Sequence, residues 1–558
     1  MMEAKVHSRF LEETLLVKQG TAVMNQYCLQ AIFALLTPVG RVTVERVCKT
    51  WLTESKRSWN HQKNLELDPV TLGFLPYGKL HKIQSITHKI ASEILKRCGK
   101  YTRKIELKDE RTPCILDAIS KYCCNVERIL NVVASSDGLR CLADNIKCKN
   151  IVELDIRCLT PTRTDWDDIF GKIFYNNKNL KYLRIKNGNA LKGYCFDKLT
   201  VESLNELSIQ IPYPHAGLFI ENLANALYPG AHLTSFSVCM NNCSQLSLSA
   251  LSTSMLKNIT NLDLSCLCYV EDLDEKLGRI FSRNESLERL RLYISCINDF
   301  TGECLTKLSR NIRDLEVDTL RCSVEPYLII CLPKFKHLTA VELEIAQPNL
   351  VSLISRSLSL CPKLQKLSLN LAIPTSNTLA EEISEISNLE YLKIFSQLEN
   401  DVLENKFFTC IGRLSALKEL HIGGYADMSE HWIEYLTYPS NIEHLSIVDI
   451  DLYNGYYLSD LKNLETFRCV DCPELEVDGL VSLIRVALNM KYIQIRGVDR
   501  DFREEIIDEL VQLMKCGNNI HRMLVVDMDL YRVNPRLLRS VCKRLHLMDS
   551  DPEMWSSP

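Results

Sequence analysis

The chain has 558 residues, of which 46% are hydrophobic and 24% are charged, and its formal net charge at pH 7 is -4. This ordinary globular composition excludes a disordered or fibrous protein. So small a net charge provides no global field to attract nucleic acid or an anionic membrane, so we expect neither as a partner and expect protein partners instead.

The N-terminal segment and the cysteines indicate the compartment. Residues 1–20 scatter Glu and Lys among apolar residues, which leaves no uninterrupted apolar core of a secretory signal. No apolar run approaches the roughly 20 residues of a membrane span. Because the 24 cysteines are dispersed through apolar periodic segments, we expect free thiols and a cytoplasmic and/or nuclear protein.

Two amphipathic stripes follow this leader segment. Helical spacing at i, i+3, i+4 and i+7 links the apolar residues Leu29, Ile32, Phe33 and Leu36, and again Val44, Val47, Cys48 and Trp51. Pro38 and Gly40 lie between the two stripes and interrupt the helix. The spacing predicts a helical hairpin, and by itself it is equally compatible with a cap that covers the first repeat of a solenoid.

The residue identities in this hairpin resemble an F-box. The hallmarks of that family are an Ile-Phe pair and a later Val-Cys-x-x-Trp, which here are Ile32-Phe33 and Val47-Cys48-Lys49-Thr50-Trp51, with Trp59 as the last aromatic residue. Met24-Asn25 stands where the family usually has Leu-Pro, so we expect this chain to bind the family's adaptor protein more weakly than a consensus F-box does. The resemblance implies docking onto a Skp-type adaptor, and through it onto a cullin scaffold, by Leu29, Ile32, Phe33, Leu36, Val47, Cys48 and Trp51.

From residue 150 onward a repeat recurs with apolar residues at positions one, four and six. Examples are Leu180-Leu183-Ile185, Leu287-Leu290-Leu292 and Leu364-Leu367-Leu369, and the starts from Ile151 to Ile520 have a mean period of about 26 residues. The alternating end predicts a short strand with one buried face. Residues 168–174, 273–281 and 502–513 have the spacing of returning helices, and weaker repeats are expected directly after the hairpin, at Leu65-x-Leu67 and Ile105-x-Leu107.

This recurrence resembles the leucine-rich-repeat proteins. The segments that start at Cys361 and Cys472 are similar to the cysteine-containing repeats of F-box proteins, although only Asn241 and Cys472 fit the polar ninth position. The resemblance implies an α/β fold, a right-handed leucine-rich-repeat solenoid shaped as a horseshoe with parallel strands inside and helices outside. The predicted domains are the leader 1–20, the F-box-like helical domain 21–62, divergent early repeats 63–148, the solenoid 149–545 and a polar tail 546–558.

Positions three, five and seven of each repeat are expected on the concave face, where solenoids usually bind proteins. Five carboxylates on two adjacent strands, with arginines and a tyrosine beside them, form the first candidate for binding a protein substrate: Arg289, Arg291, Tyr293, Asp314, Glu316, Asp318, Glu342 and Glu344. Aromatic and basic residues form the second: Tyr391, Lys393, Phe395, Arg468, Tyr492 and Arg496. The alternative for the acidic group is a solvated face that its arginines partly neutralise.

Catalytic motifs are absent from the sequence. Cys469-Val-Asp-Cys472 has the spacing of a metal-binding pair, but no second pair completes a four-ligand site. We therefore expect no cofactor, no metal and no enzymatic activity. The expected function is substrate recognition in an SCF-type cullin–RING ubiquitin ligase, and the alternative is a leucine-rich-repeat scaffold without ligase association.

Overall fold

The computed structural model describes residues 26–67, 80–107, 115–145, 148–158, 166–187, 191–211, 216–227, 232–240, 258–265, 272–294, 301–319, 324–398, 401–425, 427–428, 435, 441–450, 458, 461–472, 475–498, 500–515, 524–528 and 545–548. The chain divides into two compact units, residues 1–257 and 258–558. The helical hairpin and the first repeats therefore share a unit, and the predicted solenoid 149–545 extends over parts of both units.

The two units are built from alternating helices and strands. The helices are α1 (Gln26–Leu35), α2 (Pro38–Val44), α3 (Lys49–Ser58), α4 (Leu80–Cys98), α5 (Ile115–Tyr122), α6 (Ser136–Asp144), α7 (Trp166–Asn176), α8 (Ala216–Leu227), α9 (Leu273–Arg283), α10 (Glu325–Cys331), α11 (Val351–Ser359), α12 (Asn377–Ser384), α13 (Asn405–Ile411), α14 (Val477–Val486) and α15 (Arg500–Lys515). Helices α7, α9 and α15 contain the three segments for which sequence spacing predicts helices.

The strands are short, as a leucine-rich repeat requires. They are β1 (Asn64–Leu67), β2 (Lys104–Leu107), β3 (Arg128–Ala134), β4 (Glu153–Cys158), β5 (Tyr182–Lys186), β6 (Glu206–Ile211), β7 (Ser235–Met240), β8 (Asn261–Ser265), β9 (Arg289–Ile294), β10 (Asp314–Thr319), β11 (Ala340–Ile345), β12 (Lys366–Leu371), β13 (Tyr391–Ser396), β14 (Val402–Leu403), β15 (Glu419–Gly423), β16 (Asp427–Met428), β17 (His444–Val448), β18 (Thr466–Val470), β19 (Tyr492–Arg496), β20 (Leu524–Met528) and β21 (Leu545–Met548).

Within the first unit the strands pair in parallel and in chain order from β1 to β7. Leu65 and Leu67 are buried in β1, and Ile105 and Leu107 are buried in β2. The prediction that repeats begin directly after the hairpin is therefore confirmed.

The second unit repeats this arrangement. Its strands pair in parallel from β8 through β13, β15 and β17 to β21, while β14 and β16 form a separate pair. The register partners Arg289, Asp314, Ala340 and Lys366 lie 25, 26 and 26 residues apart along the chain. Parallel strands at this spacing, each returned by a helix or short turn, make the fold a leucine-rich-repeat solenoid.

Each repeat buries the residues at its first, fourth and sixth positions. Leu287, Leu290 and Leu292 are examples, and the corresponding side chains of the neighbouring repeats are equally buried. Burial of one such side chain contributes about 1.5–3 kcal/mol to folding. Because the same positions stack from strand to strand, the core is a continuous column along each sheet.

A buried asparagine at the end of a helix ties one repeat to the preceding one. In the first unit, the Ile151 backbone N–H donates to Asn177 Oδ1 (2.9 Å), and Asn177 Nδ2 donates to the Ile173 carbonyl (2.9 Å). In the second unit, Asn284 forms the equivalent bonds with Ile259 (3.0 Å) and Ile280 (2.8 Å). Each asparagine therefore joins a carbonyl of its own helix to a backbone N–H of the preceding repeat.

The hairpin contains three helices, so the prediction of two helices is wrong. The second stripe crosses the break between α2 and α3, because Val44 ends α2 and Cys48 stands just before α3. Cys48 has an extended backbone, and its sulfur accepts a hydrogen bond from the Trp51 N–H at 3.5 Å. It therefore caps the helix that its stripe was expected to run through.

Two predictions about the C-terminal repeats are also wrong. Leu524, Val526 and Met528 are the buried apolar residues of β20, whereas Val525 is the register partner of Tyr492 on the opposite face. A slip of one residue exchanges the two faces of a strand. In addition, β21 reaches Met548 and pairs with β20, so the predicted polar tail begins too early.

Several predictions concern residues that the structure does not describe. These residues are the leader, Met24-Asn25, Asn241, Ile520 and Met523.

The described cysteines are free thiols, sixteen in all, and fourteen of them are buried or half-buried side chains of the repeats: Cys98, Cys123, Cys124, Cys141, Cys148, Cys158, Cys195, Cys239, Cys304, Cys331, Cys361, Cys410, Cys469 and Cys472. Burial raises the pKa of Cys98, Cys148, Cys331 and Cys361 to about 11. These thiols therefore remain protonated at neutral pH and act as small apolar side chains.

Within the described ranges, the helices include none that is long and apolar enough to cross a membrane.

Candidate functional site

Helix α1 carries apolar residues on two faces. Its inner face holds Leu29 and Phe33, which are only 3% and 2% exposed. The Phe33 ring packs edge-on against Trp51 of α3, with 5.3 Å between ring centroids. Leu29 and Phe33 were predicted to bind a partner, but the structure buries them among helices α1, α2 and α3. We call these three helices the three-helix unit.

The outer face of α1 is a second apolar stripe. Cys28, Ala31, Ile32 and Leu35 have the spacing i, i+3, i+4 and i+7, and all four are exposed. Ile32 is 41% exposed and Leu35 is 88% exposed. Sequence analysis missed three of these residues, although their spacing was the available signal. We call these four residues the outer stripe.

The other predicted docking residues of the hairpin have intermediate positions. Leu36, Val47 and Trp51 are half-buried, and Cys48 is exposed at the start of α3. The Trp51 ring is in contact with Phe33. Only Ile32 is therefore common to the predicted docking set and the outer stripe.

A buried polar cluster anchors the three-helix unit to α4 of the first repeats. Glu45 accepts a hydrogen bond from the Trp59 indole N–H at 3.0 Å, and it forms an ion pair with Arg97 of α4 at 2.8 Å. Arg41 lies beside this cluster, with its guanidinium carbon 5.1 Å from the Trp59 ring centroid. Arg41 also donates to the backbone carbonyls of Ala34, Leu36 and Ser58. The unit is thus fixed to the repeats, as the cap hypothesis also requires.

Both candidate groups for substrate binding lie on one face of the sheet of the second unit. Its side chains alternate along each strand with the buried ones, and we call it the open face. Its side chains form three columns across the parallel strands. Tyr293 and Asp318 are neighbours in the seventh-position column, and Arg291, Glu316 and Glu342 are neighbours in the fifth-position column. The predicted placement of the five carboxylates on adjacent strands is therefore confirmed.

Three of those carboxylates are paired within the protein. Arg289 forms an ion pair with Asp314 at 2.8 Å, and Arg291 pairs with Glu316. Glu342 accepts a hydrogen bond from Ser368 Oγ at 3.0 Å, and it forms an ion pair with Lys393 at 3.5 Å. Because these ion pairs lie on a partly solvated face, each contributes little to stability, but together they neutralise most of the fifth-position column.

Asp318 and Glu344 are different because they lie side by side on β10 and β11, and no ion pair joins either of them to a described cation. Asp318 Oδ1 and Glu344 Oε2 are buried, and neither has a hydrogen-bond partner among the described residues. Burial and the Glu344 carboxyl raise the pKa of Asp318 to about 7, with smaller contributions from Glu342 and Glu316. Near neutral pH, the two carboxyl groups can therefore hold one proton between them.

Aromatic and basic side chains occupy the next strands of the open face. The rings of Tyr391 and His421 lie 5.0 Å apart, and His421 Nε2 is 2.7 Å from Glu419 Oε1. Burial raises the pKa of Tyr391 to about 12, so its hydroxyl stays neutral. Phe395 is half-buried beside these residues. This part of the face offers ring surfaces and hydrogen-bonding groups to a protein partner.

At the far end of the open face, two predicted binding residues are occupied by an internal contact. Asp527 is fully buried and accepts hydrogen bonds from the Tyr492 hydroxyl (3.0 Å) and Gln494 Nε2 (3.1 Å). Arg496, itself buried, forms an ion pair with Asp527. Tyr492 and Arg496 therefore hold a buried charge in place. Arg468 remains half-buried on this surface, and its Nε atom has no hydrogen-bond partner among the described residues.

The cysteine pair with metal-like spacing has a structural arrangement. Cys472 Sγ donates to the backbone carbonyls of Val470 (3.3 Å) and Ile447 (3.8 Å) in the turn after β18. Cys469 is buried in that strand. Across the described part of the chain, no group of three or more His, Cys, Asp or Glu side chains could hold a metal ion.

No family model matches the sequence, and no curated protein matches it. Among solved structures, an internalin (inlF) from Listeria monocytogenes is 15% identical with a TM-score of 0.32, and the match covers 63% of this chain and 88% of that one. Internalin C2 (inlC2) from the same organism is 18% identical with a TM-score of 0.23, covering 31% and 70%. TLR13 in a complex with ssRNA13 is 16% identical with a TM-score of 0.32, covering 82% and 62%. At these values the likenesses carry no argument about function, and our assignment of the fold depends on strand register and repeat spacing.

Proposed function

We propose that this protein is a non-enzymatic substrate-recognition adaptor of an SCF-type cullin–RING ubiquitin ligase. The three-helix unit would bind a Skp-type adaptor, and that adaptor would connect the chain to a cullin scaffold. The open face would bind a protein substrate, while the ligase chemistry would reside in other subunits. The outer stripe of α1 is the single observation that carries the proposal.

The physical argument starts from the two apolar faces of α1. A helix of a globular protein normally buries one apolar stripe and exposes polar residues on the opposite side. In α1 the inner stripe is covered by α3, yet the outer stripe exposes Ile32 and Leu35 to solvent. Covering both side chains with a partner would remove apolar area from water, which favours association. The F-box resemblance identifies the class of partner.

The rival proposal is a leucine-rich-repeat scaffold in which the three helices only cap the first repeat. The contact of Glu45 with Trp59 and Arg97 supports it, because this contact fixes the unit to α4. Capping and docking are compatible, however, since they use different faces of the unit. Only the outer stripe distinguishes the two proposals.

The test is recovery of the adaptor with the full-length chain from cells. We expect the wild-type chain to co-purify with near-stoichiometric Skp-type adaptor and with cullin, as measured by quantitative mass spectrometry. Leu35→Glu and Ile32→Glu should each lower adaptor recovery at least tenfold, because each places a charge in the apolar contact and loss of a buried anchor costs about 2 kcal/mol or more.

The matched control is Ile330→Glu, which places the same charge at a 54% exposed apolar residue of helix α10. This variant should retain the adaptor. Absence of adaptor from the wild-type preparation, or equal loss in all three variants, would contradict the ligase proposal and favour the scaffold.

A further inference from the structure

We infer that Asp318 and Glu344 form a receptor for one cationic side chain of the bound protein, with arginine preferred over lysine. This inference depends on the proposal that the open face binds protein, but not on adaptor docking. It identifies one site among the five carboxylates. It also defines the chemistry of the partner: an exposed segment with a central guanidinium group.

The first step is that the other carboxylates are already paired. Asp314 and Glu316 pair with the two arginines of β9, and Glu342 pairs with Lys393 of β13. The register places Asp318 and Glu344 one residue beyond the partners Val317 and Leu343, so their strands hold them side by side. The described residues offer this pair no cation.

The second step is the state of the Glu344 side chain. Glu344 is 7% exposed, yet none of the described residues forms a hydrogen bond with its Oε2 atom. Its other oxygen accepts only a long bond, 3.4 Å, from Gln397 Nε2. Above the pKa of Asp318, when neither carboxyl group carries a proton to donate, these two buried oxygens without a donor are costly. A group with several N–H donors and a positive charge would relieve this cost.

The third step selects the ligand. Two adjacent carboxylates offer acceptor oxygens in different directions, and a planar guanidinium can donate to both at once, whereas an ammonium is a point charge. Tyr293 stands beside Asp318 in the same column, next to the position that such a side chain would occupy. Arginine therefore suits the pair better than lysine, and the uncharged isostere citrulline should not bind.

The fourth step concerns pH. The charged and titratable groups around the pair are Arg289, Arg291 and Tyr293 on β9, Asp314 and Glu316 on β10, Glu342 on β11, Lys366 on β12, and Tyr391 and Lys393 on β13. The raised pKa of Asp318, about 7, means that the pair holds a proton below that pH. An arriving guanidinium must displace this proton to solvent, so binding should strengthen from pH 6 to pH 8.

The experiment uses the full-length chain and immobilised peptides with randomised flanks around a fixed central arginine, lysine or citrulline. We expect arginine peptides to be enriched most and citrulline peptides least. For the best arginine peptide, Asp318→Asn and Glu344→Gln should each weaken the dissociation constant, measured by fluorescence anisotropy, at least tenfold. Both should also remove the increase in affinity between pH 6 and pH 8.

The matched control is Glu381→Gln, which neutralises an exposed carboxylate of α12 that pairs with Lys406. This variant should bind the peptide like the wild type. Equal recovery of arginine and citrulline peptides, recovery of no peptide, or unchanged binding by Asp318→Asn would overturn the inference. Adaptor recovery through α1 serves as the independent measurement, because its persistence in the Asp318→Asn variant would show that only this site, and not the proposed function, has failed.

Discussion

Two consecutive glycines allow a ring to lie close to the backbone of the open face. Gly424 has a φ of 75°, and a Cβ atom added there would overlap the Ser396 carbonyl oxygen. A Cβ on Gly423 would come within 2.8 Å of Phe395 Cδ2. Only glycine combines this positive φ with so close an approach. The two glycines therefore leave the space that Phe395, one of the predicted binding residues, occupies.

Replacing Gly424 with alanine should be strongly destabilising. The substitution forces a side chain into a left-handed conformation and against backbone atoms, and we expect the free energy of unfolding to fall by about 2–3 kcal/mol. Urea denaturation followed by circular dichroism measures the change.

The control for this variant is Gly171→Ala in helix α7. There the nearest atom to an added Cβ is 3.8 Å away, so the space is sufficient and the helical conformation is retained. Alanine should stabilise this helix by about 0.5–1 kcal/mol. Loss of stability at Gly171, or none at Gly424, would contradict the backbone argument.

At the scale of elements, α1 shows what helical spacing can and cannot predict. Leu29 and Phe33 share one stripe, Leu35 belongs to another, and Ile32 fits both, so the sequence contains two overlapping apolar patterns. The spacing predicts the helix. Which stripe becomes internal depends on where α3 begins, and Cys48 determines that start by capping the helix. The periodicity of α1 contains no information about that cap.

Strand β20 shows a related limit. Leu524, Val525 and Val526 are consecutive apolar residues, so two registers one residue apart agree with the alternating pattern. The parallel pairing of Val525 with Tyr492 decides between them, and Asp527 then meets Tyr492, Gln494 and Arg496. Long-range pairing settles this register, and a local pattern does not contain it.

The attachment of the three-helix unit to α4 can be tested with a pair of glutamates. Glu45→Ala leaves the Trp59 indole N–H and the Arg97 guanidinium without their buried acceptor, and it should lower the free energy of unfolding by about 2–3 kcal/mol. Glu93→Ala removes the exposed partner of the same arginine and should cost less than about 1 kcal/mol. Urea denaturation of both variants provides the comparison, and equal costs would contradict a buried attachment.

At the scale of the whole molecule, the solenoid could be predicted because the same three buried positions recur in both units. Leu183, Leu290 and Leu392 are fourth-position residues of distant repeats, and each is buried. One misplaced repeat does not disturb such a pattern. The binding surfaces could be predicted only in part, because pairing decides which charges are available. Arg496 is paired inside the protein, whereas Asp318 and Glu344 form no ion pair within the part of the chain that the structure describes.

The account depends most on the claim that a partner covers the outer stripe of α1. Hydrogen–deuterium exchange of the full-length chain, with and without a purified Skp-type adaptor, measures this directly. We predict slower exchange in peptides that cover residues 26–35, and unchanged exchange in peptides from helix α10, where Ile330 provides a comparable exposed apolar residue. Exchange in residues 26–35 that is the same with and without the adaptor would contradict the account.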